Sequence, residues 1–159
     1  MSESTEVLKE IRKNLKGRTL LVGRRIGQGK FDLLGADLRV EAKPRKYPVG
    51  GNVIAWERGL LSKFSQGQFN SIILHRFLYR PVKEYIEDPF EILTETKRIL
   101  PDGGVLVVNS YLLSDATKNF RSAESFYTES EMMRLLEEPE FSKVSDLSFG
   151  EGRLFLCER

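Results

Sequence analysis

The 159-residue sequence predicts an α/β fold: a mostly parallel, doubly wound sheet closed by an antiparallel carboxyl-terminal hairpin. Three observations carry that prediction. Phe69-Asn70-Ser71-Ile72-Ile73-Leu74 loses its polar/apolar alternation after Ser71, the pattern of a strand covered on both faces. Asp88-Pro89 opens a helix that stops at Leu100-Pro101-Asp102-Gly103-Gly104. A second apolar strand, Val105-Leu106-Val107-Val108, follows at once. Strand, helix and strand in that order make a right-handed crossover, the unit from which parallel sheets are built.

Each element has its own justification. Thr5 to Lys16 carries Val7, Leu8, Ile11 and Leu15 at helical spacing before Gly17, which predicts an amphipathic helix. Thr19-Leu20-Leu21-Val22-Gly23 is the first strand, and the alternating run Ala36 to Ala42 is the second. Pro44, Pro48 and Gly50-Gly51 mark a loop, Asn52 to Glu57 is the third strand, and residues 69–75 are the fourth. In the helix after Asp88, Pro89 sits in the first turn, where its missing N–H has no helical partner to lose. Ile92, Leu93, Thr96, Ile99 and Leu100 form one face of that helix, with Glu91, Glu95, Lys97 and Arg98 towards water. Pro101 ends it, and Gly103 and Gly104 are expected to supply the positive φ that turns the chain into a fifth strand over 104–110. Thr128 and Glu131 have capping-box spacing for a helix running through Leu136. Phe141 to Ser148 and Arg153 to Cys157 flank Phe149-Gly150-Glu151-Gly152, a hairpin signal. No repeat or linker divides the chain, so residues 1–159 are expected to form one domain.

Composition narrows the function classes. One cysteine, Cys157, excludes an internal disulfide and fits a reducing compartment; with one histidine, it also argues against zinc. No apolar run reaches membrane-spanning length, and Met1-Ser2-Glu3-Ser4-Thr5-Glu6 lacks signal-peptide character, so a cytoplasmic protein without a membrane partner is expected. The net charge of +2 hides an asymmetry: residues 1–50 hold 12 Lys/Arg against 6 Asp/Glu. Lys9, Arg12, Lys13, Lys16, Arg18, Arg24, Arg25, Lys30, Lys43, Arg45 and Lys46 make this half a candidate surface for nucleic acid or another anion. Sparse aromatic interleaving leaves a solvated surface as the structural alternative.

The run Phe69 to His75, followed by Glu87-Asp88-Pro89 and ending Arg98-Ile99-Leu100-Pro101-Asp102-Gly103-Gly104, resembles the second half of class I S-adenosylmethionine-dependent methyltransferases. In that family a strand of the type Phe-Asp-x-Val leads to a helix ending Arg-x-Leu-x-Pro-Gly-Gly; here Asp102 is inserted or displaced. The resemblance implies a Rossmann-like sheet with a terminal antiparallel hairpin, and S-adenosylmethionine as cofactor, without a metal. It also assigns candidate roles. Gly23, Gly27 and Gly29 match the glycine-rich loop that lets backbone approach the methionine portion of the cofactor. Asp37, in Gly35-Ala36-Asp37, matches the acid that accepts hydrogen bonds from the ribose hydroxyls, a task for which a carboxylate offers acceptors and no donor. Glu57, ending the third strand, matches an acid facing the adenine amino group, with Trp56 beside it as an aromatic wall. His75, ending the fourth strand, is the candidate catalytic base, and Asn109, Ser110 and Tyr111 would line the same cleft.

One departure bears on the cofactor. Only 12 residues separate Gly23 from Ala36, where the family places a full helix. A parallel crossover usually needs at least about a dozen residues, so either the pocket is abbreviated or a strand pairs unusually. The Asn/Asp-Pro-Pro-Tyr motif of nucleobase amino methyltransferases is absent. Two readings stay open: an S-adenosylmethionine-dependent methyltransferase of unknown substrate, or a methyltransferase-like protein that has lost the cofactor and serves as an interaction or anion-binding module.

Overall fold

Three strands, β1 (Thr19–Gly23), β4 (Ser71–His75) and β5 (Val105–Ser110), are buried at every position because they lie side by side in the middle of the sheet. The computed structural model describes residues 5–24, 26, 27, 29–42, 52–78, 88–110, 127–147 and 153–159. With β2 (Leu38–Glu41), β3 (Val53–Ala55), β6 (Lys143–Asp146) and β7 (Arg153–Glu158), the seven strands run in the order β3-β2-β1-β4-β5-β7-β6. The first five are parallel; β7 runs antiparallel to both β5 and β6. The expected mostly parallel sheet with an antiparallel end is therefore present. The turn of the expected hairpin and the loop around Pro44 and Pro48 lie outside the described residues.

Alternation along the central strands sends side chains to two apolar layers. On one face Leu21, Ile73 and Val107 meet Val7, Leu8 and Ile11 of α1 (Thr5–Lys13), together with Phe31 and Leu34. On the other, Leu20, Val22, Ile72, Leu74, Leu106 and Val108 meet α2 (Pro89–Ile99) through Ile92, Leu93 and Ile99, and α3 (Glu129–Glu137) through Met132 and Leu136. Helices on both faces make the sheet doubly wound.

Local chemistry sets the helix ends. The Asp88 side chain accepts from the Phe90 N–H at 2.9 Å, ahead of Pro89, and Leu100 closes α2 in extended conformation before Pro101. Gly103 has the expected positive φ, 82°. Gly104 does not; it is required instead because a Cβ there would lie 2.9 Å from the Pro101 carbonyl oxygen and 3.1 Å from that of Asn70. Both bonds of the Thr128–Glu131 capping box form.

The short crossover is resolved in favour of ordinary pairing. β1 and β2 are parallel neighbours with Gly23 opposite Glu41, and the chain returns through a 3-10 helix, Gly29–Leu34. Six 3-10 residues rise about 12 Å, against about 9 Å for an α-helix. Four strand residues span about 13 Å, so the tighter helix makes most of the return and the connecting residues on either side complete it. A second 3-10 helix, Leu60–Lys63, lies between β3 and β4. Several elements are shorter than the sequence predicts: α1 stops at Lys13, β2 begins at Leu38 and β3 covers only Val53–Ala55. Among the described residues, no helix is long and apolar enough to cross a membrane.

Candidate functional site

The site is built where the chain direction through the sheet reverses: from β1 it passes outward to β2 on one side, and β4 lies on the other. In open α/β sheets, ligands sit beyond the carboxyl ends of the strands at this switch. Gly23 ends β1 directly opposite His75 of β4. A Cβ at Gly23 would lie 2.5 Å from Ile26 Cγ2 and 2.9 Å from the His75 carbonyl oxygen. Only glycine allows the chain to fold back there, and Ile26 is fully buried as a result. Gly27 is buried too, and its N–H donates to Glu41 Oε2 at 2.9 Å. A Cβ at Gly27 would crowd that oxygen at 3.2 Å. Gly29 is exposed and begins the 3-10 helix.

Glu41 is the last residue of β2 and is buried with 3% of its surface exposed. Its hydrogen bond to Gly27 is the only one its side chain makes among the described residues, which leaves Oε1 unengaged there. An acid at the carboxyl end of β2 is thus present, but it is not the one expected. Asp37 precedes β2, is exposed, and accepts from the Thr19 N–H at 2.8 Å while its own N–H donates to the Thr19 carbonyl at 2.9 Å. It ties the amino ends of β1 and β2 together, about 13 Å of strand away from Glu41. The available signal was strand polarity: Leu38-Arg39-Val40-Glu41 ends on an acid, whereas Asp37 starts the run.

At β3, Trp56 donates its backbone N–H to the Glu41 carbonyl at 2.9 Å, so the two residues share one corner. The indole packs edge-on against Phe77, with centroids 4.9 Å apart. Its Nε1 is buried without a hydrogen-bond partner among the described residues. Glu57 is exposed beyond β3 and pairs with Lys63.

His75 is buried on the face of α1, edge-on to Phe31 with centroids 5.0 Å apart. Burial, then the positive charges of Arg76 and Lys30, push its pKa down to about 3, against the raising effect of a hydrogen bond with the Asn109 side chain. At neutral pH the imidazole is uncharged and a very weak base. Its contacts are those of a packed, strand-end ring. Asn109 lies opposite His75 on β5 and donates to the Arg153 carbonyl at 3.3 Å. Tyr111 lies outside the described residues.

The structure therefore brings Gly23, Gly27, His75 and Glu57 to the carboxyl edge, adds Glu41 and Trp56, and leaves Asp37 at the opposite edge. The donor set fits an adenosyl group: a carboxylate with one oxygen unengaged for vicinal hydroxyls, and an aromatic N–H without a partner among the described residues.

No protein-family model and no curated protein matches this sequence. Solved structures do match it in fold. An S-adenosylmethionine-dependent methyltransferase from Archaeoglobus fulgidus aligns with TM-score 0.74 and 14% identity, over 98% of this chain and 92% of that one. Another from Thermotoga maritima, described as a possible histamine N-methyltransferase, aligns with TM-score 0.66 and 19% identity over 94% and 84%. PigF with S-adenosylhomocysteine aligns with TM-score 0.64 and 16% identity; this chain spans only 61% of its length.

Proposed function

This chain has the class I S-adenosylmethionine-dependent methyltransferase fold, and we propose that it is a small methyltransferase of that kind. The observation that carries the proposal is Glu41, a buried carboxylate at the carboxyl end of β2, held by the glycine-loop backbone at one oxygen only. The second oxygen keeps acceptor capacity that a ligand's hydroxyls can fill, because a carboxylate offers acceptors and no donor. Glu41 would hold the ribose hydroxyls, Trp56 Nε1 would donate to the adenine ring, and the backbone at Gly23 and Gly27 would face the methionine portion. When bound, S-adenosylmethionine supplies an electrophilic methyl group on its sulfonium sulfur. The chain's own contribution is alignment: methyl transfer gains chiefly from holding donor and acceptor in line, and needs little proton transfer. His75, neutral and packed against Phe31, shapes the floor of the site and is not assigned the role of base. We place the protein in the cytoplasm, which its single, buried cysteine supports.

Calorimetric titration with S-adenosylmethionine and S-adenosylhomocysteine tests the proposal. Micromolar binding is expected, weakened at least tenfold by Glu41→Ala and unchanged by Asp37→Ala. A second reading, the non-catalytic anion-binding or interaction module, rests on the replacement of the first crossover helix by six 3-10 residues and on the complete burial of Ile26 within the loop. Silence from both ligands would favour it over the first.

A further inference from the structure

One peptide group in the glycine turn is gripped at both ends by β2. Gly27 donates its N–H to Glu41 Oε2 at 2.9 Å, and the carbonyl of the same peptide, that of Ile26, accepts from Arg39 Nη1 at 3.5 Å. Arg39 and Glu41 are two apart on a strand, so they share a face and lie about 7 Å from each other along it. Leu21 and Gly23 of β1 stand opposite them, while Val40 between them points into the other apolar layer. The carbonyl and the N–H of a trans peptide point in opposite directions, as two side chains set this far apart require.

Electrostatics decides the orientation of that group. A peptide unit carries a dipole of about 3.5 D, negative at oxygen and positive at hydrogen. The Arg39 guanidinium lies against the negative end and the Glu41 carboxylate against the positive end. The contact to the carbonyl is long for a hydrogen bond, so the charge carries it more than the bond does. A flipped peptide would set its oxygen against the carboxylate and its hydrogen against the cation. Glu41 would then lose the one donor that holds it among the described residues. Glycine opposes such a flip least of any residue, so the turn depends on the two charges.

Arg39 is itself held in place. Its Nη2 pairs with Asp32 of the 3-10 helix, and its side chain is 13% exposed against 73% for that of Asp32. The planar fork offers one nitrogen to Asp32 and the other to Ile26, a division that a single ammonium would not reproduce. Asp32 also directs the cation away from Glu41, whose second oxygen lies within reach of a long side chain two residues back on the same face. We propose that Arg39 is a positioning residue for the cofactor. Anchored by Asp32, it fixes the Ile26–Gly27 peptide so that Glu41 is held at Oε2 and keeps Oε1 for the ribose; this rests on the methyltransferase reading of the site.

Backbone-amide NMR and calorimetric titration with S-adenosylhomocysteine test this on two variants. Arg39→Met keeps the bulk of the side chain and removes its charge; Asp32→Asn removes the anchor at an exposed position. In both, the Gly27 amide proton should move upfield as it leaves the carboxylate and exchange with solvent about tenfold faster. The Leu21 and Ile73 amides of the central strands should exchange as they do in the parent. S-adenosylhomocysteine should bind about tenfold more weakly to both variants. A Gly27 amide that neither substitution moves overturns the clamp. So does an equal acceleration of all three amides, which would make Arg39 a stabilising residue and no more. Parental affinity with Gly27 released overturns the link to the cofactor. If the parent itself binds no S-adenosylhomocysteine while Gly27 still responds, the clamp on the peptide stands and the methyltransferase reading falls.

Discussion

Glu41 and Asp37 stand four residues apart in sequence and at opposite ends of β2 in space. Their substitutions should separate cleanly. Asp37→Ala removes the acceptor for the Thr19 N–H and should cost about 1 kcal/mol of stability, measured by urea unfolding, with cofactor affinity intact. His75 gives a test in pH. Folding holds the imidazole neutral down to about 3, while the unfolded chain takes up the proton below its ordinary 6.5. Stability is thus undiminished above 6.5 and declines as pH falls from there towards 3. The slope contributed by one proton is about 1.4 kcal/mol per pH unit. His75→Asn should flatten that decline; an identical pH profile for the variant would sink the assignment of a buried neutral ring. The residue types at both positions were legible in the sequence. The family resemblance pointed to Asp37, although the polarity of the run already put Glu41 at its carboxyl end.

The element that distinguishes this protein is the 3-10 helix Gly29–Leu34. It buries Phe31 against His75 and Leu34 against the α1 face, and so anchors the whole first crossover through two side chains. Phe31→Ala should cost about 4 kcal/mol by chemical denaturation. It should also raise the His75 pKa, observed by NMR titration, because burial is the main cause of its depression. An unaltered histidine titration would show that the crossover does not seal the ring. α3 offers a milder test. Thr128→Ala breaks a capping box with both bonds formed and should lose about 1 kcal/mol. That box, the Asp88-Pro89 start and the Pro101 stop were readable directly, since caps depend on residues within one turn of each other. The 3-10 crossover was not: six residues fit several local conformations, and only pairing of β1 with β2 selects the one that spans the distance.

At the scale of the molecule, two apolar layers clamp a single sheet, and Cys157 lies fully buried within one of them at the β5–β7 seam. Burial raises its thiol pKa to about 12, so little thiolate exists at working pH. Alkylation by iodoacetamide at pH 8 should therefore track global unfolding, with an opening free energy equal to that from denaturant. Rapid labelling of the native protein would show that the seam opens locally.

The sequence by itself determined the β-α-β unit, the helix caps, the apolar central strands and the antiparallel close, because each is written in periodicity or in contacts between residues close along the chain. The tertiary structure alone decided that Glu41 holds the glycine turn through the Gly27 N–H, that His75 is sealed and neutral, and that the Trp56 indole packs on Phe77. Those facts arise from pairing between strands far apart in sequence, and no local pattern encodes the distance between two residues that meet only after the sheet has formed.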